Sequence, residues 1–179
     1  METIMSVNGQ DYEVLQLLGH GKGGYSYLVR RNEREFVLKQ IHHEPCSYYT
    51  FGNKIESEFT DYHRLLKAGI RIPQMLDIDR EAERIVKEYI PGPTIYELVK
   101  TDSVKPEYFH QVRHMAWQAQ EAGLNIDYFP TNFVVREDLL YYIDYECNLY
   151  DTQWNFENWG NHYWWKSPEF ADYVNQHKD

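Results

Sequence analysis

Short apolar runs that favour β-strands, separated by turn-forming residues, dominate the first part of the chain. The runs are Tyr12–Leu18, Tyr25–Arg30 and Glu35–Ile41, and they are separated by the glycine-rich Gly19–Gly24 and the polar Arg31–Arg34. Glycine and polar residues in such short connections are typical of hairpin turns. The pattern therefore predicts three consecutive strands joined by two turns.

The apolar spacing changes from a strand pattern to a helical one after these strands. Ile55, Phe59, Tyr62 and Leu66 recur at intervals of three or four residues, which places them on one face of a helix. Gly69 follows where a helix end is expected, since glycine readily adopts the left-handed conformation that closes helices. One helix is therefore predicted after the third strand.

Strand-like segments return after this helix, at Gln74–Ile78 and Arg84–Ile90, so the opening has the order β-β-β-α-β-β. A Pro-Gly-Pro sequence at residues 91–93 then interrupts the pattern, because proline has no backbone N–H to donate. We expect a boundary between two lobes at this point. Residues 1–90 would form an N-terminal lobe and residues 91–179 a shorter C-terminal lobe.

Helix signals are concentrated in the second half of the chain. Thr94 followed by Glu97 is the capping-box pattern of a helix start. Pro106 suits the first turn of a second helix, and Gly123 suits its end. Residues 125–132 are expected to form a polar loop, and a short hairpin and an aromatic, helical tail are expected to follow. The chain as a whole is predicted to be α+β.

Composition and charge narrow the classes of partner. The 179 residues are 42% hydrophobic, which is typical of a globular protein, and the formal net charge is −10. Proteins that bind nucleic-acid backbones carry the opposite sign, so the charge argues against a nucleic-acid partner. Cys46 and Cys147 form neither a disulfide framework nor a zinc motif. With no long apolar run and no signal-peptide pattern in residues 1–7, we expect a cytoplasmic protein that does not bind membranes.

The glycines of the first turn have a spacing that occurs in phosphate-binding loops. Gly19, Gly21 and Gly24 follow the pattern G-x-G-x-x-G, and glycine lets backbone N–H groups approach phosphate oxygens. A flexible hairpin turn would carry the same pattern. A dinucleotide-binding fold would need a helix after the glycines, whereas here a strand both precedes and follows them. This context favours a hairpin that covers nucleotide phosphates, as in protein kinases.

Lys39 is a candidate phosphate ligand on the third predicted strand. It shares a strand face with Val37 and Ile41. A single lysine more often keeps its ammonium group in water. An inward ammonium would need a carboxylate partner, because an unpaired buried charge is strongly unfavourable. Glu56 and Glu58 on the following helix both remain possible partners from the residues alone.

Three polar residues in the second half have the order expected of a phosphotransfer site. Asp127 and Asn132 are five residues apart, and Asp144 follows twelve residues later at the end of an apolar strand. In phosphoryl transfer, the first Asp accepts the proton of the acceptor hydroxyl, and the Asn and second Asp hold Mg²⁺. Ordinary turns also contain Asp and Asn. The chain thus contains four elements in the expected order: the glycines, Lys39, the pair of Asp127 and Asn132, and Asp144. Their occurrence together favours the catalytic interpretation.

These motifs together resemble those of protein-kinase-like phosphotransferases, and are most similar to the small RIO-type serine/threonine kinases. The resemblance extends over Leu18–Glu146. It implies a bilobal fold, with an antiparallel β-sheet lobe that contains one helix and a reduced, mainly helical second lobe. Ala68–Pro73 resembles the segment after the helix in that group, which favours Glu58 as the partner of Lys39. Val86–Gly92 resembles the hinge that holds adenine.

The resemblance implies ATP as phosphate donor and Mg²⁺ as metal, and it assigns roles to particular residues. The implied groups are the phosphate-covering Gly19, Gly21 and Gly24, the catalytic Lys39 with its partner Glu58, the adenine-binding Glu88, Tyr89 and Ile90, the catalytic Asp127, and the metal-binding Asn132 and Asp144. Several positions depart from the family pattern, among them Asn125 and Phe129. Asn125 stands where the catalytic-loop His is expected, and Phe129 stands where serine/threonine kinases commonly have Lys.

The tail carries a second resemblance and leaves the acceptor open. Asn158–Trp164 resembles a stretch of choline and aminoglycoside phosphotransferases, and four of the five tryptophans lie beyond residue 150. We expect these rings to pack in a core in preference to forming a wall for a cationic substrate. The predicted function is an ATP- and Mg²⁺-dependent kinase of serine or threonine in a protein. A small-molecule kinase acting on an amino alcohol or aminoglycoside, and a nucleotide-binding pseudokinase, remain alternatives.

Overall fold

The protein is described here from a computed structural model, which describes residues 3–21, 23–43 and 53–177. Lys22 of the glycine-rich turn and Cys46 lie outside these ranges. The residues group into two compact units, which are described separately below.

The first unit comprises Met1–Thr60 and Pro73–Tyr89, and the second comprises Asp61–Ile72 and Ile90–Asp179. The change of unit after Tyr89 lies one residue before the predicted boundary. The grouping is nevertheless discontinuous in sequence, because residues 61–72 belong to the second unit.

The described residues contain ten strands and four α-helices. The strands in chain order are β1 (Ile4–Val7), β2 (Gln10–His20), β3 (Gly24–Arg31), β4 (Arg34–Ile41), β5 (Met75–Asp79), β6 (Arg84–Glu88), β7 (Leu124–Ile126), β8 (Phe133–Arg136), β9 (Leu139–Tyr142) and β10 (Cys147–Leu149). The helices are α1 (Lys54–Ala68), α2 (Ile95–Lys100), α3 (Pro106–Glu121) and α4 (Pro168–Gln176). Short 3-10 helices cover Pro130–Asn132, Thr152–Trp154 and Gly160–Tyr163. None of the helices in the described ranges has the length and apolar character needed to cross a membrane.

A six-stranded antiparallel sheet with the order β1-β2-β3-β4-β6-β5 forms the first unit. Its core includes Met5, Val7 and Leu38, which are at most 6% exposed. The Asn8 side chain, next to the edge strand β1, donates a hydrogen bond at 2.7 Å to Asp77 in the other edge strand, β5, so the two edges meet and the sheet curls. The predicted succession along the chain of three strands, one helix and two strands is confirmed, but β1 was missed because its four residues are too few to show a pattern.

Helix α1 ends as predicted, but one residue of its predicted apolar face is wrong. Ile55 and Tyr62 are buried, at 3% and 7% exposure, whereas Leu66 is 47% exposed and Leu65 is fully buried. A step of three residues from Tyr62 therefore continues the buried face, and the step of four that the sequence suggested does not. Gly69 adopts a positive φ of 84° and ends the helix.

The second unit has a core of helices and two small antiparallel sheets, β8–β9 and β7–β10. The capping box of α2 is confirmed, because Thr94 accepts the N–H of Glu97 at 3.1 Å and the Glu97 side chain accepts the N–H of Thr94. Asn125 was expected in a polar loop but lies in β7, opposite Asn148. The tail was expected to be helical throughout, but it contains short 3-10 helices before α4, which begins at Pro168.

Two glycines of the first hairpin should respond differently to alanine. A Cβ at Gly24 would collide with the Gln40 carbonyl oxygen of the neighbouring strand, whereas a Cβ at Gly21 would meet nothing within 4 Å. We expect Gly24→Ala to destabilise the protein by about 1–3 kcal/mol, because the strands must separate. Gly21→Ala should leave the free energy of unfolding within about 0.5 kcal/mol of the wild type. Urea denaturation of both variants measures this difference, and equal stabilities would contradict the packing of β3 against β4.

Candidate functional site

The glycine-rich turn joins β2 and β3 and leaves two of its glycines open to solvent. Gly19 pairs with Ser26 across the hairpin, and the Gly21 N–H donates to the Gly24 carbonyl at 3.0 Å. No atom lies within 4 Å of a Cβ built at Gly19 or Gly21, so a ligand could approach either backbone. Gly24 has a structural role instead, because a side chain at this position would collide with the backbone of β4. Phosphate binding by all three glycines stays a prediction.

Lys39 and Glu58 form an ion pair in the first unit. Each side chain is only 13% exposed. The alternative partner Glu56 instead pairs with Arg80, and both of these side chains are more exposed. The structure thus pairs Lys39 with Glu58, the glutamate that the resemblance of the motifs favoured.

Gly23 is the glycine that lies next to this ion pair, although the G-x-G-x-x-G spacing left it out. A Cβ at Gly23 would be 3.3 Å from the Lys39 ammonium nitrogen and 3.7 Å from a Glu58 carboxylate oxygen. The absence of a side chain therefore keeps the ammonium accessible from the turn. The signal in the sequence was the doubled glycine at 23 and 24, whose first member no motif used.

The proposed adenine-binding segment follows the last residues of β6. Glu88 ends this strand, and its backbone N–H donates to the Gln74 carbonyl at 2.9 Å. Tyr89 is partly exposed and Ile90 is 5% exposed. The N–H of Glu88 therefore already donates to a backbone carbonyl of the protein. Adenine binding by residues 88–90 stays a prediction.

Asp127 lies in the second unit between β7 and a 3-10 helix, and Asn132 is beside it. One Asp127 carboxylate oxygen accepts the Phe129 N–H at 3.1 Å, and the Asn132 amide donates to the Asp127 carbonyl at 3.3 Å. Burial raises the pKa of the Asp127 carboxyl above its ordinary value. The hydrogen bond from Phe129 acts in the opposite direction.

Two further carboxylates act on Asp127. The negative charges of Glu146 and Asp144 both raise the pKa of Asp127. The backbone next to Asp144 is joined to Asn132, because the N–H of Ile143 donates to the Asn132 carbonyl at 2.9 Å. The structure thus places Asn132 beside Asp127, and the charges of Asp144 and of Glu146, which was not predicted as a site residue, act on the Asp127 carboxyl.

The hydroxyl group of Tyr142 connects this cluster. Tyr142 is fully buried, and its hydroxyl accepts the Asp127 N–H at 3.1 Å and donates to the Glu146 carbonyl at 2.8 Å. Burial raises the pKa of this phenol, and the charges of Asp144 and Asp127 raise it further. The hydroxyl therefore stays protonated and fixes two backbone segments of the cluster. In the sequence, Tyr142 was only one aromatic residue of an apolar strand.

Comparison with known proteins gives one distant similarity. No model of a protein family matches the chain. The chain is similar to a probable bifunctional tRNA threonylcarbamoyladenosine biosynthesis protein of Methanosphaera stadtmanae, with 23% identity over 127 residues. The similarity covers 68% of this chain, and the chain spans about a quarter of that relative, 24% of its length.

These findings correct the family assignment that the motifs suggested. The assignment to the small RIO-type kinases, and that of the tail to choline and aminoglycoside phosphotransferases, is wrong, because no family model matches and the similarity leads to a tRNA-modification protein. A motif of three or four residues in a turn or loop recurs in unrelated proteins, which is the reason for the error. The chain is a distant homologue of the tRNA-modification protein.

The aromatic tail supports the loop that carries Asp127. Trp164 is fully buried, and its indole N–H donates to the Tyr128 carbonyl at 2.8 Å. Asn125 binds the tail as well, because its amide donates to the Asp151 carbonyl at 2.9 Å. The expectation of core packing holds for Trp164, whereas Trp154 and Trp165 are 49% and 50% exposed.

Cys147 lies three residues after Asp144 and is not suited to act as a nucleophile. It is 5% exposed, and burial, with the nearby Asp61 charge, raises the pKa of its thiol to about 12. At neutral pH the group is therefore a thiol and not the reactive thiolate.

Removal of the Tyr142 hydroxyl should destabilise the second unit. In Tyr142→Phe, the Asp127 N–H loses its acceptor, which should cost about 1–3 kcal/mol of free energy of unfolding. Tyr141→Phe, on the partly exposed neighbour, is the control and should cost less, because water can replace the lost contact. Urea denaturation measures both variants, and equal losses would contradict a special role of the Tyr142 hydroxyl.

Proposed function

We propose that the protein is an ATP- and Mg²⁺-dependent phosphotransferase that phosphorylates a hydroxyl group. The observation that carries the proposal is the position of Asp127. The Phe129 N–H and the Tyr142 hydroxyl hold this residue, and Asn132 lies beside it. The charges of Glu146 and Asp144 raise its pKa. A divalent cation would offset the negative charge that acts on this carboxyl. The similarity to a biosynthesis protein favours an enzyme.

The donor groups of the second unit fit Mg²⁺ in combination with phosphates. Within the described residues, no group of three or more His, Cys, Asp or Glu side chains could hold a metal ion alone. Asn132 turns its amide nitrogen to Asp127, so its amide oxygen is available to a cation. Asn132 and Asp144 would supply two oxygen ligands, and phosphate oxygens would complete the octahedral set that Mg²⁺ prefers. When bound, the ion would neutralise charge on the transferred phosphoryl group.

The first unit would bind the triphosphate of ATP. Lys39, oriented by Glu58 and approached from the turn over Gly23, would bind phosphate oxygens with its ammonium group. Glu88, Tyr89 and Ile90 would hold the adenine. The proposal includes a kinase-like bilobal arrangement, because Lys39 and Asp144 must act on the same triphosphate.

Asp127 would act on the acceptor during transfer. Its carboxylate would accept the proton of the acceptor hydroxyl as that oxygen forms a bond to the γ-phosphorus. The bond between the γ-phosphorus and the β,γ-bridging oxygen breaks, and ADP leaves. A carboxylate with a raised pKa is a stronger base than an ordinary aspartate, which suits this step.

The acceptor proposed first is a serine or threonine hydroxyl of a protein. The experiment is a coupled assay of ADP release with three acceptors: a serine/threonine-rich protein, a panel of amino alcohols and aminoglycosides, and water alone. Turnover with the protein acceptor that disappears in Asp144→Asn supports the proposal. ADP release only with small alcohols would identify a small-molecule kinase, and ATP binding without turnover would overturn the proposed enzymatic function.

A second candidate is a role in tRNA threonylcarbamoyladenosine biosynthesis. The name of the similar protein from Methanosphaera stadtmanae favours it, although this chain spans 24% of that protein. The formal charge of −10 opposes direct binding of a tRNA backbone. ADP release that tRNA stimulates at physiological salt, and that free nucleotides do not, would favour this candidate.

A further inference from the structure

A second concave site lies at the other end of β3 from the glycine-rich turn. It has a cavity volume of about 260 Å³, and its walls include Tyr12, Arg31, Asn32, Arg34 and Asp77. All of these residues belong to the first unit. None of them has a role in the proposed phosphotransfer, so the site needs a separate explanation.

The turn between β3 and β4 places two arginines directly opposite each other. Arg31 pairs with Arg34 in the strand register. The two residues between them, Asn32 and Glu33, both have a positive φ, at 51° and 64°, as a tight two-residue hairpin requires. Side chains of directly opposed residues are about 5 Å apart, and like charges in such pairs are destabilising. The hairpin thus holds two positive charges together at a cost in stability.

Aromatic rings support both guanidinium groups without neutralising them. Arg31 lies 5.8 Å from the centre of the Tyr12 ring, and Arg34 lies 5.6 Å from that of Phe36. The two rings meet edge to face at 5.9 Å. Among the residues that the structure describes, neither guanidinium has a carboxylate within 4.0 Å, although the chain has 28 acidic residues. The Arg31 guanidinium also donates a hydrogen bond to the Asp11 backbone carbonyl at 3.1 Å. The rings and this bond hold the cations in place but do not neutralise their charges, which an anion could do.

The remaining polar groups of the site are compatible with an anion. One Asp77 oxygen already accepts hydrogen bonds from the Asn8 side chain at 2.7 Å and from the Ile78 N–H at 2.9 Å. Tyr12 is 5% exposed and lines the cavity. Burial raises the pKa of this phenol, with the Asp77 charge adding to the rise, so the hydroxyl keeps its proton and can donate it.

We propose that Arg31 and Arg34 form a binding site for a phosphate monoester. Two guanidinium groups match the two negative charges of this ligand, and their planar N–H forks match its oxygens. The Tyr12 hydroxyl would supply a further donor. A cavity of about 260 Å³ is smaller than the roughly 300 Å³ at which sites for drug-sized molecules begin, so the phosphate group, and not a whole nucleotide, would occupy it.

The test uses the full chain and inorganic phosphate as the probe. Isothermal titration at low ionic strength should give a dissociation constant on the order of 1 mM, as expected for a few charge-assisted hydrogen bonds. Arg31→Gln and Arg34→Gln should each weaken binding by about tenfold or more. Arg30→Gln is the matched control, since Arg30 lies on the same strand and pairs with Glu13 at 2.9 Å.

Two further arms identify the ligand. Asp77→Asn should tighten phosphate binding severalfold, because a negative charge leaves the wall of the site. Phosphoserine should bind at least as well as inorganic phosphate, whereas sodium acetate at equal ionic strength should not compete. Equal loss of binding in Arg30→Gln, or no phosphate binding by the wild type, would overturn the proposal. Binding of single-stranded RNA without binding of phosphoserine would overturn it in favour of a nucleic-acid surface.

Discussion

Asp127→Asn should lower the rate of phosphate transfer from ATP by about 10²–10⁴-fold, the usual contribution of a positioned general base. The amide is nearly the same size as the carboxylate and can still accept the Phe129 N–H, which the carboxylate accepts at 3.1 Å. It cannot accept a proton from the acceptor. Steady-state assays of ADP release should show the loss in kcat, with KM for ATP within about twofold of the wild type.

The same substitution should make the folded protein more stable at neutral pH. The pKa of Asp127 is raised in the folded state, so the folded protein binds the proton more tightly than the unfolded chain does. Asp127 therefore contributes its full stabilisation at a pH below its pKa in the unfolded chain. This contribution is lost as the pH rises through its pKa in the folded protein. The melting temperature of Asp127→Asn should therefore exceed that of the wild type increasingly over this window.

Asp138→Asn is the control with the opposite sign. Hydrogen bonds from Tyr108 and Lys105 lower the pKa of this exposed carboxyl, so its contribution is present above the unfolded pKa. Asp138→Asn should lower the melting temperature at neutral pH and leave turnover unchanged. If Asp127→Asn retained full turnover, the assignment of Asp127 as the proton acceptor would be wrong.

Lys39→Met should abolish turnover and also destabilise the protein. The substitution removes the cation that would bind the triphosphate, and it leaves Glu58 without its partner at a site where the side chain is 13% exposed. Removal of one partner of a buried pair costs about 3–5 kcal/mol. Urea denaturation measures this loss, and the coupled ADP assay measures turnover.

A double variant separates the two effects of Lys39→Met. Lys39→Met with Glu58→Leu should recover most of the lost stability, because no unpaired charge stays buried, but should remain inactive. Arg80→Met is the matched control, since the Arg80–Glu56 pair also involves α1 but its side chains are 52% and 41% exposed. That variant should lose at most about 1 kcal/mol and keep its activity. Recovery of turnover in the double variant would refute phosphate binding by Lys39.

Local sequence patterns were sufficient for much of the fold. The strands from residue 10 to residue 41, the capping box at Thr94 and the helix end at Gly69 all depend on neighbours within a few residues. Periodicity and turn chemistry report such neighbours directly. The pairing of Lys39 with Glu58 was also predictable, although the residues alone left Glu56 open. The family assignment drawn from the same motifs was wrong, because short motifs do not carry enough information to identify a family.

Contacts between residues that are far apart in sequence could not be predicted from these patterns. Nothing in the strand that contains Tyr142 indicates that its hydroxyl joins Asp127 to Glu146, and nothing near Asn125 indicates its bond to Asp151. The position of Gly23 against the Lys39–Glu58 pair likewise depends on how the hairpin folds over β4.

The sequence by itself therefore determines the strands, turns and helix ends, because propensity and periodicity depend on residues that are close in sequence. Tertiary packing alone selected the buried leucine of α1, joined the backbone of Asp127 and Glu146 through the Tyr142 hydroxyl, and placed Arg31 and Arg34 over two aromatic rings. These arrangements arise from burial and charge, which depend on neighbours in space and not on neighbours in sequence.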